Sequence, residues 1–395
     1  MKIGVAGPID LGLLLDLFPP ASCFPATFSF PVTAHLAREL HRRGHEITLF
    51  TLSREVARTQ RIEGDRITAY ICPQRRPRMQ MLDWFRKECH GLRDAMRASG
   101  CSVIHAHWTY EFGLAAVESG IPHVVTAHDN PIAALRFARH PYWLVKPLLA
   151  WPVLRRARCV TAVSPYIAKT IRRYVRRGRE IVVVPNGVTQ KIVDRFADRR
   201  PRAEGEPFRF AGIMNGWSAL KNGNRLLEAF ANLRREFGQK VELLLCGHGH
   251  EEQGGAHRWA TSHQLTDGVE FLGEVPFEAL MNRLARDVDV LVHPSLEESF
   301  CMAAAEAMAM GIPVIGGQHS GGIPWVLGDG KAGLLVDVTS STAISKGMRE
   351  LFVDTALRES LASAGRERVL NNYRLHDVAR QYEDILSRAS QEQRQ

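Results

Sequence analysis

The sequence predicts an α/β chain of two doubly wound domains in tandem. Three observations lead there. Short apolar runs alternate with longer helical patterns from end to end, as they do where helices cover a parallel sheet. A chain of 395 residues outgrows a single hydrophobic core. A polar, Pro- and Gly-bearing stretch at about 190–207, inside "TQKIVDRFADRRPRAEGEPFRF", interrupts the alternation, which then starts afresh. The expected domains are 1–195 and 206–372.

The elements follow in order. In the first half the expected strands are "KIGVAG", "EITLFTL", "RITAYIC", "SVIHAH", "HVVTAHD", "CVTAVS" and "IVVVPNG". Between the first two, "FPVTAHLARELHRRGH" sets Val32, Leu36 and Leu40 on one helix face, and Gly44 closes that helix. Beyond the linker come "FRFAGIM", "VELLLCG", "VEFLGEV", "VDVLVHP", "IPVIGG" and "AGLLVD". The halves share a pattern but no evident repeat. A ligand is expected at the carboxyl ends of the strands, in a cleft faced by both domains.

Composition narrows the class. With 45% hydrophobic and 24% charged residues the chain is ordinary for a soluble globular protein. "LVKPLLAWPVL" is too short for a membrane span and is broken by Lys146, Pro147 and Pro152. Pro8, Asp10 and Asp16 interrupt the apolar start, so "KIGVAG" reads as a first buried strand rather than a signal peptide. Seven scattered Cys without CxxC or CxH spacing argue against zinc and disulfides and fit a reducing cytoplasm. The net charge of +9 is concentrated between Arg155 and Arg179, just after "YWLVKPLLAWPVL". That flank reads either as a solvated helix face or as a basic, amphipathic surface resting on an anionic bilayer at the inner face of the membrane. It lacks RNP-like aromatic spacing and a recognition-helix motif, so nucleic acid is not an expected partner.

Polar residues gather where strands end: His105, His107 and Trp108; His128 and Asp129; Asn186 and Gly187; Gly247, His248 and Gly249; Pro294, Ser295, Glu297 and Glu298. In "ESFCMAAAEAMAMGIPVIGG" a helix is expected from near Ser299, leaving the amides of Phe300, Cys301 and Met302 free for an anion such as a pyrophosphate. Glu298, a carboxylate beside that anion site, suits sugar hydroxyls or a positive transition state, or else caps the helix. Glu306 lies among Ala303, Ala304, Ala305 and Ala307. Buried there it needs hydrogen-bond donors, which a ribose diol supplies; the plain alternative is a surface Glu. His105, His107, His248 and His250 have no closed-zinc spacing, and no metal is expected.

Glu298, seven intervening residues and Glu306 form an E-x7-E pattern. With "RRGHEITLFT", "VIHAHW", "VVTAHD", "VTAVSPYIA", "IVVVPNGV", "LKNGNRLLEAF", "VEFLGEV", "VLVHPSLEESF" and "EAMAMGIPVIGG" it resembles the glycogen-synthase-like group of retaining glycosyltransferases, family 4, over about residues 1–390. The resemblance implies the GT-B fold: two Rossmann-like domains, the first binding the acceptor and the second a nucleotide-sugar, with a final helix at about 373–390 packing back on the first. It implies that Glu306 binds the ribose and that Glu298 lies against the donor sugar. The amides after Ser299 hold the sugar or the pyrophosphate. His128 reaches the donor from the first domain, and Lys221 grips the diphosphate. Asp129, His107, Trp108 and Asn186 fall on the acceptor side or in the cleft. The plain alternatives are a structural His128 and an exposed helix Lys221.

The sequence also departs from the family. The usual Arg before the Lys is missing from "GIMNGWSALK", leaving Asn215, Trp217 or Arg225 to replace it. "ASCFPATFSF" stands where a Gly pair is usual, which suggests an unusual acceptor pocket, and Trp325 stands where a Glu is common. The expected donor is UDP-hexose or UDP-N-acetylhexosamine, with GDP-mannose second. The acceptor is a hydroxyl on a lipid-linked or surface glycan, or on a soluble metabolite. A phosphorylase, an epimerase and a non-catalytic nucleotide-sugar-binding module stay open as rival activities.

Overall fold

The computed structural model describes residues 1–391 except 21, 29, 133–136, 138–141 and 201; the side chains of 142–144, part of the expected aromatic flank, also lie outside the described residues. The chain forms two units, Met1–Gly187 with Leu375–Gln395, and Val188–Arg374.

The first unit is built on strands β1 (Lys2–Ala6), β2 (Glu46–Ser53), β3 (Gln60–Gly64), β4 (Ile67–Pro73), β5 (Val103–His107), β6 (His123–Ala127), β7 (Cys159–Ala162) and β8 (Ile181–Val183). They lie in the order β3-β4-β2-β1-β5-β6-β7-β8. Every expected strand is present, and all neighbours run parallel except β3 against β4. β3, "QRIEG", is an addition that no apolar run announces: it is a polar, largely exposed edge. β1 has β2 on one side and β5 on the other, so the chain winds away from it in both directions and opens a crevice at its carboxyl end. The helix Pro31–Arg42 begins with Pro, where no N–H is needed, buries Leu36, Ala37 and Leu40, and stops at Gly44 with φ +95°.

The last helix, Leu375–Gln391, belongs to this unit. Val378, Ala379, Tyr382 and Leu386 share one core with Ile3, Val5, Leu36 and Leu40. Glu383 on its outer side accepts from Arg43 Nε at 2.8 Å and bonds His45 Nε2 at 3.0 Å.

The second unit carries β9 (Phe208–Ile213), β10 (Val241–Cys246), β11 (Val269–Gly273), β12 (Val290–His293), β13 (Val314–Gly317) and β14 (Leu334–Val336). All are parallel, in the order β11-β10-β9-β12-β13-β14, with the switch between β9 and β12. The expected linker at 190–207 needs correction. The chain passes from one unit to the other at Gly187–Val188 and again at Arg374–Leu375. Residues 190–194 form a helix that buries Ile192 and Val193, and Arg195 Nη2 bonds Glu278 Oε2 at 2.6 Å, so this polar stretch is fastened to the second unit. At Gly187 a Cβ would stand 2.6 Å from Leu375 Cα, which leaves room for glycine alone.

Candidate active site

In the second unit the switch brings two loops together. β9 and β12 are paired neighbours, so the turn after Ile213 and the turn after His293 leave the sheet side by side. Leu296 N–H donates to Leu220 C=O at 2.9 Å. Asn222, at φ +56°, is buried, and its amide donates to the carbonyls of Pro294 (3.1 Å) and Val338 (2.8 Å). Asn tolerates the left-handed region better than most residues. This clamp sets Lys221 over the end of β12, where Nζ donates to Glu298 Oε1 at 2.6 Å. His293 Nε2 reaches the same oxygen at 3.0 Å. Substituting Asn222 with Ala leaves two carbonyls without donors. A loss of about 1–3 kcal/mol in urea melts is the expected result, together with weaker nucleotide binding as Lys221 loosens.

Burial works against all three charges, and the pairing overcomes it. It raises Glu298, but His293 and Lys221 hold this carboxylate well below the usual range. It lowers His293, but Cys301 and Glu298 beside the imidazole hold it protonated, up to about 10. Lys221 is raised by the same carboxylate. Lys221 and His293 thus direct two cationic groups at one carboxylate oxygen at the mouth of the switch.

The helix that follows runs Met302–Ala309, which corrects the expected start near Ser299. Glu298 pairs its backbone with Gly321, its carbonyl accepting from Gly322 N–H at 2.7 Å, and Cys301 turns the chain at φ +82°. Ser299, Phe300 and Cys301 therefore precede the helix, and its first-turn amides begin at Met302. Phe300 is buried, its ring 5.3 Å from Tyr373 and 6.1 Å from Trp325. Glu306 lies in the second turn, partly buried between the fully buried Ala305 and Ala307, its carboxylate with no hydrogen-bond or ion-pair partner among the described residues. Burial pushes its carboxyl up to about 8.

In the first unit, β5 and β6 bring their ends together. His107 Nδ1 and His128 Nε2 are 2.8 Å apart, and His105 Nε2 bonds Thr126 Oγ1 at 2.7 Å. Burial lowers all three imidazoles, His105 and His128 to about 3, so each is neutral. Phe30, from the loop in place of the Gly pair, meets His128 edge-on at 5.2 Å. Asp129 Oδ2 accepts from Tyr110 at 2.9 Å. Trp108, at φ +74°, stands 5.7 Å from Phe28, and Lys146 lies over its ring at 5.3 Å. Asn186 is buried after β8.

The glycosyl transferases group 1 model matches residues 194–368, and the glycosyltransferase family 4 model matches 31–191. An N-acetyl-alpha-D-glucosaminyl L-malate synthase of Bacillus anthracis is 24% identical, over 92% of this chain and 95% of its own. The chain is a family 4-type glycosyltransferase. Among solved structures its fold is like that of the sucrose-phosphate synthase of Thermosynechococcus elongatus (TM-score 0.76, 20% identity, 98% of each chain). It is also like that of HepE of Anabaena in complex with UDP and glucose (TM-score 0.70, 17% identity, 98% and 99%). These likenesses establish GT-B architecture.

The glycosyltransferase treats its missing Arg in its own way. Arg225 Nη1 is engaged by Glu228 Oε2 at 2.7 Å. Trp217 is wedged among Gly223, Gly249, Gly255 and Trp259. Asn215 is exposed just after β9. The second cation beside Lys221 is instead His293, which the sequence reading passed over. Its one signal was a His at a strand end just before Pro294 and the Glu298 loop. The four histidines weighed as a metal cluster all have partners: His105 and His107 as above, His250 on the His248 carbonyl at 3.2 Å, and His248 Nδ1 at 3.9 Å from Glu274 Oε2.

Proposed function

We propose that this glycosyltransferase moves a hexose or N-acetylhexosamine from a UDP-sugar to an acceptor hydroxyl with retention, holding the donor in the second unit and the acceptor in the first. The observation that carries the reading is the Lys221–Glu298–His293 group at the switch point, with the Glu306 carboxylate unpartnered nearby in sequence. Lys221 and His293 stabilise the diphosphate as the bond from the anomeric carbon to the phosphate oxygen breaks. Glu298 fixes both cations and faces the sugar. Glu306 accepts from the ribose hydroxyls. The acceptor oxygen forms the new bond on the same face, and its proton passes to the departing phosphate oxygen, so no protein nucleophile is needed. His128, being neutral, orients the sugar by hydrogen bonding rather than by charge. The complex of HepE with UDP and glucose supports UDP as the nucleotide, and the name of the Bacillus relative supports an N-acetylhexosamine. GDP-mannose is the second choice of donor.

A thermal-shift panel of UDP-, GDP- and ADP-sugars tests the donor: UDP-sugars should raise Tm most, since they bind only the native state. Equal shifts for all, or none, would sink the assignment. The reaction uses no metal in this proposal, so excess EDTA should leave the transfer rate unchanged; a loss restored by a divalent cation would contradict it.

For the acceptor we favour a lipid-linked or surface glycan, with the enzyme resting on the inner face of an anionic membrane. No helix among the described residues is long and apolar enough to cross a membrane. The helix Tyr142–Arg156 instead exposes Leu148 and Trp151, with Arg155 lying 5.7 Å from the Trp151 ring. The helix Pro77–Leu82 packs beside it, and Met79, Leu82 and Trp84 are exposed there. Flotation with anionic vesicles should be strong at low salt and fall as salt rises, and Trp151→Glu should abolish it. Salt-independent flotation, or none, would favour a soluble acceptor.

A further inference from the structure

We infer that Cys301 is a positioning residue of the donor site, its thiol a second anchor of the His293 imidazole beside the Glu298 carboxylate. The inference rests on the reading that His293 stabilises the diphosphate, and it adds what keeps that ring in place.

Cys301 stands at φ +82° and ψ 84°, the largest φ of any non-glycine residue described. That is beyond the small left-handed region open to residues with a Cβ, so the position suits glycine and is strained for cysteine. The neighbours hold it there. Glu298 is bridged to Gly321, and the Cys301 carbonyl accepts from Ala305 N–H at 3.3 Å in the first turn of the helix. Strain of this kind is held by its surroundings and gathers at functional sites, so a side chain kept here asks for a task that glycine cannot do.

The thiol is free and only 7% exposed. It lies beside His293, the last residue of β12, which is 4% exposed. Nε2 of that ring is committed to Glu298 Oε1 at 3.0 Å. Nδ1 is closed off from solvent, and no oxygen or nitrogen among the described residues meets it. A buried donor left unpaired is costly, and sulfur is a weak acceptor suited to an N–H that has no oxygen to meet. The groups facing the ring are Glu298 and Cys301 from the loop after β12, while Lys221, from the loop after β9, reaches the same Glu298 oxygen. Burial works against both cations. Cys301 opposes it, favouring the charged form of His293 together with Glu298, and that of Lys221 after Glu298. An alanine would fill much of the same space and do neither.

The test is NMR of the ligand-free full chain labelled at histidine, with the His293 signal assigned by its loss in H293Q. Its titration midpoint in the wild type should lie at about 10. In C301A and C301G it should drop by about one unit or more, and in C301S, whose hydroxyl still accepts, it should lie between. Glycine relieves the backbone at this φ, so a drop in C301G does not come from strain, and a UDP-induced Tm shift at pH 6.5 shows that its site is folded. Calorimetry of UDP binding at pH 6.5 and pH 9.5 supplies the second readout. Each variant is compared with the wild type at the same pH, which cancels the other titrating groups, Glu306 among them. The ratio of wild-type to variant affinity should grow by about threefold or more between the two pH values, because the variant imidazole loses its proton first. A side chain that merely fills space would lower affinity equally at both. His293 midpoints that coincide in wild type, C301A and C301G, or a ratio that stays level, overturn the inference. If H293Q binds UDP as the wild type does at both pH values, the donor reading of His293 fails instead, and the midpoint alone decides whether Cys301 anchors the ring.

Discussion

Replacing Glu298 with Gln will lower kcat by about two to three orders of magnitude, the range seen when one preorganised polar group is removed from a reacting centre, and will destabilise the ligand-free protein by about 3 kcal/mol. The second effect follows from charge. Glu298 Oε1 is shared by Lys221 and His293, and without it two cations face each other in a largely buried place. The pH dependence separates the partners. Glu298 is depressed from 4.5, so its contribution is present above that value and is lost as pH falls towards its folded value. His293 is raised from 6.5 to about 10, so its contribution is complete below 6.5 and fades as pH rises through about 10. Both are complete only between the two ordinary values, at mildly acid pH. The stability gap between wild type and E298Q should be widest there and shrink towards alkaline pH. Adding His293→Gln to E298Q removes the stranded imidazolium; stability should partly return while activity does not. A pH-independent gap, or an active double variant, would show that Glu298 does not work through this pair.

How much of this was legible in the sequence depends on the range of the physics involved. The fully buried strands were legible, because a strand covered on both faces must be apolar, and "SVIHAH" or "HVVTAHD" can hardly be read otherwise. β3 was not, since "QRIEG" is an exposed edge with nothing to bury. Spacing and family likeness single out Lys221, Glu298 and Glu306 as candidates, but they do not give the state of these side chains. That Lys221 is tied to Glu298 depends on the Asn222 clamp across the β9 and β12 loops, a contact between residues more than seventy positions apart. The helix start was misplaced because a left-handed Cys301 is held by a bridge from Glu298 to Gly321. His293 gave no local sign of being charged, since its protonation comes from neighbours that the fold supplies.

The other large effect is expected at Glu306, and it has opposite signs for stability and for binding. Burial among alanines lifts this carboxyl from 4.5 to about 8 with no partner to offset it. A raised acid costs the folded state more as pH rises from the ordinary value through the folded one, because the unfolded chain ionises first. Glu306→Gln removes that cost. The ligand-free variant should therefore melt several degrees higher than wild type near pH 8 and nearly level with it near pH 5. Nucleotide binding should respond the other way. Two ribose hydroxyls donating to the carboxylate favour its ionised form, so below about pH 8 UDP must drive a proton off Glu306 as it binds. The affinity of wild type should fall by up to tenfold per pH unit below that point. E306Q offers one acceptor and cannot ionise, so its affinity should be lower near pH 8 and flatter with pH, the two curves converging near pH 6. Titrations in two buffers of different ionisation enthalpy should show proton release for wild type beyond that of E306Q. Parallel pH profiles for the two proteins would place the ribose elsewhere; a higher Tm without any loss of UDP affinity would leave Glu306 a strained surface residue with no part in the donor site.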